Sequence, residues 1–192
     1  MNDEIEKADI CIKNGLYEEA AELLQCVLEE EPDTTEALWR IGVAYTELNI
    51  PEKAVKALDY FFKFNADHPQ ALEAYGCAQF KLGNYGTAKK YLELALDENH
   101  ESSTIQRNLG VVYNQLGEVE KSYQSLKRSH EINPTDFRTL YALAMAHLHF
   151  RRYYEASVLL ENMLSLDIPE DFQSMARDAL SAIKPKLKSR QD

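Results

Sequence analysis

Glycine and proline are scarce, seven and six of 192 residues, too few for a loop-rich all-β protein. Long apolar runs are missing as well. The best candidate, Leu140 to Ala146, stops at His147, far short of the roughly 18 residues that a membrane span needs. The amino end, Met1-Asn2-Asp3-Glu4-Ile5-Glu6, is acidic and has no apolar h-region, so it does not read as a secretory signal. Cysteine is limited to Cys11, Cys26 and Cys77. An odd number without C-x-x-C spacing signals neither a disulfide framework nor a zinc site. Reduced thiols in a reducing compartment are the simpler account. Basic charge is also short, with 21 Lys and Arg against 32 Asp and Glu and a net charge of −11. Nucleic acid and anionic lipid both require a basic face and are not expected as main partners. A cytoplasmic protein without direct membrane insertion is expected.

Signatures of catalysis are lacking too. There is no G-x-x-x-x-G-K-[ST], G-x-G-x-x-G, G-x-S-x-G or H-E-x-x-H. Gly83-Asn84-Tyr85-Gly86 reads as a turn between helices, too short and aromatic to cradle phosphate. His147 and His149 stand two apart on a predicted helix and point to different faces, so they cannot share a metal. The expectation is a protein that is not an enzyme and carries no metal or cofactor.

What is present is apolar content of 45%, enough to build a core, and a repeat. Sliding the sequence by 34 residues aligns Ala8, Gly42, Gly76, Gly110 and Ala144. The same shift aligns Ala20, Ala54, Ala88, Ser122 and Ala156, and it aligns Leu24, Leu58, Leu92, Leu126 and Leu160 without exception. A fourth column reads Gly15, Asn49, Gly83, Gly117 and Arg151. The spacing gives five units: 1–34, 35–68, 69–102, 103–136 and 137–168. Each reads as two helices. In the third unit Leu72, Tyr75 and Leu82 lie on one helix face. Gly83 is suited to the left-handed position just past a helix end. Ala88, Leu92, Ala95 and Leu96 line the next helix. Asn49 can replace Gly at that cap, and Pro51 suits a first helical position. The small columns predict close helix approach, where a bulkier residue costs roughly 1–3 kcal/mol. Such helix pairs bury their apolar faces only by stacking on neighbours.

After Pro169 the repeat gives way to one amphipathic helix over 169–184, with Phe172, Met175, Ala176, Ala179, Leu180 and Ile183 on one side. This is expected to cap the stack. A basic tail expected to be flexible follows over 185–192, and with Met1 at the start the sequence reads as a whole small protein. Charge is lopsided: residues 1 to 36 hold twelve acids against two lysines.

Leu72-x-x-Tyr75-Gly76, Gly83-Asn84-Tyr85-x-x-Ala88 and Leu92-x-x-Ala95 together resemble the tetratricopeptide repeat (TPR) family. The fourth unit adds Leu109-Gly110-x-x-Tyr113 and ends at Pro134. The resemblance covers residues 1 to about 168. Departures lie in the end units, with Lys7 and Cys11 in the first, and His147 and Arg151 in the fifth. His147, in the place of Tyr, is expected to be a packed, hydrogen-bonded core residue. The resemblance implies an all-α fold, a right-handed superhelical TPR solenoid of antiparallel helix pairs. It also implies a concave groove, lined by first helices, that binds a peptide or helix segment of another protein.

Helical geometry then nominates the groove residues: Trp39, Val43, Thr46 and Glu47, then Glu73, Cys77 and Phe80. Arg107, Asn108, Val111 and Asn114 follow, and then Arg138, Tyr141, Met145 and Leu148. Trp39, Phe80, Tyr141, Met145 and Leu148 are the apolar candidates for binding hot spots, with partial burial between adjacent first helices as the other reading. Asp9, Glu36, Glu47 and Glu73 against Arg107 and Arg138 suggest a charge direction along the groove. The two-carboxylate clamp of chaperone-tail-binding TPR domains is matched only at Asn108 and Arg138. Its other places hold Glu73, Cys77 and Ala142, so that subgroup is disfavoured. The function expected is a non-enzymatic protein–protein interaction adaptor or scaffold. A self-assembling scaffold, hence a homo-oligomer, and a chaperone for an exported protein are the alternatives.

Overall fold

Helix pairs recur because the turn inside each pair is set by one residue in the left-handed region. In the structure, a computed structural model that describes residues 2–65 and 67–188, that residue is Gly15, Asn49, Gly83, Gly117 or Arg151, with φ of 76°, 59°, 80°, 74° and 56°. The amide one residue on donates back across the helix end. Leu16 reaches the Cys11 carbonyl at 2.8 Å, and Ile50, Asn84, Glu118 and Arg152 repeat the bond to Tyr45, Gln79, Tyr113 and His147 at 2.8–2.9 Å. This is the Schellman closure, which satisfies carbonyls that the helix end would orphan. Arg151, with a Cβ, takes the same conformation as the glycines and bears its strain.

The chain divides into two compact units, Met1–His100 and Glu101–Asp192. The first contains α1 (Asn2–Lys13), α2 (Tyr17–Glu30), α3 (Thr35–Glu47), α4 (Pro51–Phe61), α5 (Pro69–Lys81) and α6 (Tyr85–Glu98). The second contains α7 (Ser103–Gln115), α8 (Val119–Ile132), α9 (Phe137–His149), α10 (Tyr153–Leu164) and α11 (Glu170–Lys188). No strand occurs among the described residues. Helix starts carry local devices. Pro51 and Pro69 open α4 and α5, where a missing N–H costs nothing. His68, Ser102 and Asp136 side chains accept from the first-turn amides of Ala71, Ile105 and Arg138, the usual N-cap exchange.

Within each unit, paired helices pack closely and consecutive first helices lie side by side. The small column shows why. A Cβ on Gly42 would fall 2.5 Å from Leu58 Cγ, one on Gly76 2.7 Å from Leu92 Cγ, and one on Gly110 2.6 Å from Leu126 Cγ. The leucine column thus seats on the glycine column sixteen residues before it, and Leu24, Leu58, Leu92 and Leu160 are fully buried. In the second unit α11 packs on α10, and Ala176 and Ile183 enter the core around Leu160 and Met163.

Two sequence expectations are corrected here. α11 does not stop at 184: it runs through Pro185 to Lys188. A proline tolerates this because only one backbone hydrogen bond is lost in the last turn. The rest of the expected tail, 189–192, lies outside the described residues. His147 is half-buried, packed edge-on to Tyr123 at 5.3 Å. However, its buried Nδ1 has no hydrogen-bond partner among the described residues, and burial lowers its pKa below the ordinary 6.5.

Candidate functional site: the first-helix faces

On α3, residues 38, 41 and 45 face the second helices, so 39, 43 and 47 project to the opposite side. Trp39 does project there, but it is held in a stack. The Arg40 guanidinium lies 4.1 Å from its ring centroid, and the His68 ring lies 4.4 Å away. Its indole Nε1 donates to Glu36 at 3.3 Å. Arg40 also bonds the Glu36 carboxylate and reaches Asp9 at 3.3 Å, while Lys13 pairs with Asp9 at 2.6 Å. The hydrogen bond from Lys13 leads in holding the Asp9 pKa below the ordinary carboxylate value. Arg40 does the same for Glu36. Two of the four acids read as a groove charge are therefore engaged with basic side chains of their own unit. The sequence reading missed Arg40, which sits next to Trp39.

Thr46 is a further correction. It is buried, with Oγ1 donating to the Gly42 carbonyl at 2.8 Å. Helical projection placed it on the groove face, but α5 packs over it, with Thr46 Oγ1 also 3.3 Å from the Ala74 carbonyl. Val43, Glu73, Cys77 and Phe80 are half-buried and Glu47 is exposed. Phe80 leans on Tyr85 with ring centroids 5.4 Å apart.

In the second unit Arg107 is not an open groove cation. It pairs with Asp136 at 2.7 Å, with side chains only 16% and 13% exposed. Asp136 also accepts from Thr139 Oγ1 at 2.7 Å and caps α9. Burial opposes the Asp136 carboxylate, yet the Thr139 and Arg107 hydrogen bonds outweigh it and hold the pKa below its ordinary value. Arg107 thus ties α7 to the start of α9. Arg138 is exposed, its guanidinium 5.3 Å from the Phe137 ring centroid, with no ion-pair partner among the described residues. Asn108, Val111, Tyr141, Met145 and Leu148 are half-buried, and Asn114 is exposed. Tyr141, Met145 and Leu148 pack their inner sides against the α9–α10 core. Among the described residues no cluster of three metal-ligating side chains occurs, and no helix is long and apolar enough to cross a membrane.

The tetratricopeptide repeat model matches residues 5–69 and 73–136, about two thirds of the sequence. The chain belongs to the tetratricopeptide repeat family. The matched stretches cover α1 through α8 and leave out α9 to α11. BBSome complex member BBS4 of Bos taurus is 25% identical over 147 residues, 77% of this chain and 28% of its own length. The Drosophila melanogaster BBS4 homolog is 26% identical over 161 residues, covering 83% and 33%. The chain therefore spans a third or less of the length of these relatives. Among solved structures, a thermophilic TPR protein of Thermus thermophilus aligns with a TM-score of 0.76 at 21% identity, covering 93% of this chain and 98% of that one. PilF of Pseudomonas aeruginosa gives 0.75 at 18% identity, covering 98% and 90%. MamA gives 0.67 at 23% identity, covering 82% and 92%. At these identities the solved structures speak for the fold alone.

Proposed function

We propose that this TPR protein is a non-catalytic scaffold that holds a segment of another protein against its first-helix faces. The observation that carries the reading is on α9. Tyr141, Met145 and Leu148 leave apolar surface half open beside the exposed Arg138, the pairing of apolar anchor and charge that binding hot spots use. The α3–α5 face offers Val43 and Phe80 beside the exposed Glu47 in the same manner. The BBS4 relatives, named as members of a complex, support a role within an assembly. Trp39 and Arg107 serve chiefly to hold helices in register, so the binding test uses exposed residues instead.

The test is cross-linked affinity capture from the source cells, comparing wild type with Glu47→Lys/Arg138→Glu after confirming equal melting temperatures. A protein retained by the wild type and lost by the variant is the expected result. Equal recovery by both, or recovery of this chain alone, would move the working surface elsewhere or favour self-assembly.

A further inference from the structure

Between α2 and α4, on the side of α3 opposite Trp39, lies a cleft of about 550 Å³. Leu38 and Ile41 of α3 form its floor, Leu28 of α2 one wall, and Ala57 and Tyr60 of α4 the other. One repeat step along, over α5 and between α4 and α6, the equivalent space is closed. The residues 34 positions after Leu28, Ile41 and Ala57 are Phe62, Tyr75 and Tyr91. Their rings pack together, with centroids 4.4 Å apart for Tyr75 and Tyr91, 5.5 Å for Phe62 and Tyr75, and 5.7 Å for Phe62 and Tyr91. Aromatic rings close that groove, whereas the rings lining the α2–α4 cleft are Tyr45 and Tyr60, and the three places equivalent to Phe62, Tyr75 and Tyr91 hold Leu28, Ile41 and Ala57. The largest deficit is at Ala57, where the next groove has Tyr91.

Charge indicates what would come with the missing ring. Lys53 and Lys56 stand on the α4 wall, and neither has an ion-pair partner among the described residues. Lys53 sits 5.3 Å from the Tyr45 ring centroid. Two lysines without carboxylates stand out in a chain of net charge −11. Glu29, on the α2 wall, is the acid that also borders the cleft. An occupant with its carboxylate toward α4 complements this arrangement.

We infer that the α2–α4 cleft is a second docking site, taking a Tyr or Phe side chain flanked by an acidic residue from a segment of another protein. The ring fills the space above Ile41 and beside Ala57 that Tyr91 fills in the next groove, and the adjacent carboxylate meets Lys53 and Lys56. This does not depend on the first-helix faces.

The test uses the full chain and a fluorescein-labelled peptide, Asp-Glu-Tyr-Glu-Leu, followed by fluorescence anisotropy. Control peptides replace its Tyr with Ala, or its acids with Lys. Ala57→Tyr plugs the cleft with the fold's own residue, and Lys53→Glu/Lys56→Glu reverses its rim. Melting curves for each variant confirm folding. The wild type is expected to bind the acidic Tyr peptide and to lose about tenfold in affinity or more with either control peptide or either variant. Binding that survives Ala57→Tyr, or ignores the Tyr of the peptide, overturns the proposal. So does absence of binding at millimolar peptide. Displacement of the peptide by self-association that Tyr154→Ala abolishes would also overturn it. The occupant would then be a second copy, through its exposed Tyr154-Glu155.

Discussion

Two successive grooves in the first unit share a backbone plan and differ in what fills them. Each has a first helix as its floor, second helices as its walls, and a buried leucine seated on a glycine within the pair, Leu58 on Gly42 in one and Leu92 on Gly76 in the other. Yet the α4–α6 groove is packed with Phe62, Tyr75 and Tyr91, and the α2–α4 groove is lined by Leu28, Ile41 and Ala57 around open space. The difference separates two demands on a repeat. Backbone spacing is set by small and leucine columns that vary little from unit to unit. Whether the groove between successive second helices is closed or receptive follows the side chains that line it, which differ between these two grooves at Leu28, Ile41, Tyr45, Ala57 and Tyr60.

The largest effect that would break this contrast is Tyr91→Ala. Removing a ring packed on two others is expected to cost about 3 kcal/mol and open a second cleft, read as a fall in the chemical denaturation midpoint. Next come Gly42→Ala and Gly76→Ala. Each places a methyl within van der Waals radius of a fully buried leucine, at about 2 kcal/mol. Similar losses at both sites would confirm that the two grooves rest on equivalent foundations, whereas a loss at one alone would not. Ala57→Tyr should act in the opposite direction, raising stability by about 1 kcal/mol as added apolar area is covered. Thermal melts decide the sign.

The effect with the narrowest reach appears only in alkali. Burial, reinforced by the hydrogen bond from Tyr75 Oη to Asp59 at 2.8 Å, raises the Tyr75 phenol from the ordinary 10.0 to about 12. The folded chain therefore keeps this proton where the unfolded chain releases it. The stabilisation it brings is complete below pH 10 and is lost as pH rises from 10 toward about 12. Tyr75→Phe should flatten that decline in denaturation midpoints measured across the range. Its counterpart Ile41 does not titrate, so the part of the decline that Tyr75→Phe removes belongs to the closed groove.

Most of the fold was legible because its determinants recur at one spacing. The turn position needs positive φ in every pair, and the sequence shows Gly or Asn at four of the five places. Arg151 occupies the fifth and adopts the same conformation, since the Arg152 amide bond to His147 over-determines the turn. The binding faces were less legible. Helical projection gives a direction, not a partner: Arg107 projects as expected and then meets Asp136, which comes from the cap of another helix 29 residues on. Thr46 was misplaced because α5 covers it, its hydroxyl lying within 3.3 Å of the Ala74 carbonyl. At the columns of 28, 41 and 57 it is the closed groove that stands out, with Phe62, Tyr75 and Tyr91 where the neighbouring repeats hold mostly aliphatic or small residues. A gap is a property of three helices together, however, and no single column shows one.

The seating of leucine on glycine has a consequence for how such a chain can change by mutation. The two positions, sixteen apart, share one volume, so neither should be free to vary alone. In the first and fifth pairs alanine already faces Leu24 and Leu160, with both alanines fully buried, so the extra methyl is tolerable where the surroundings have adjusted to it. At 42 and 58 the adjustment has not been made. Gly42→Ala should be costly by itself and cheaper once Leu58 is shortened, a positive epistasis confined to the pair. Natural drift at these columns would then proceed in coupled steps, leaving correlated residues at a separation of sixteen as the trace of a contact between two helices.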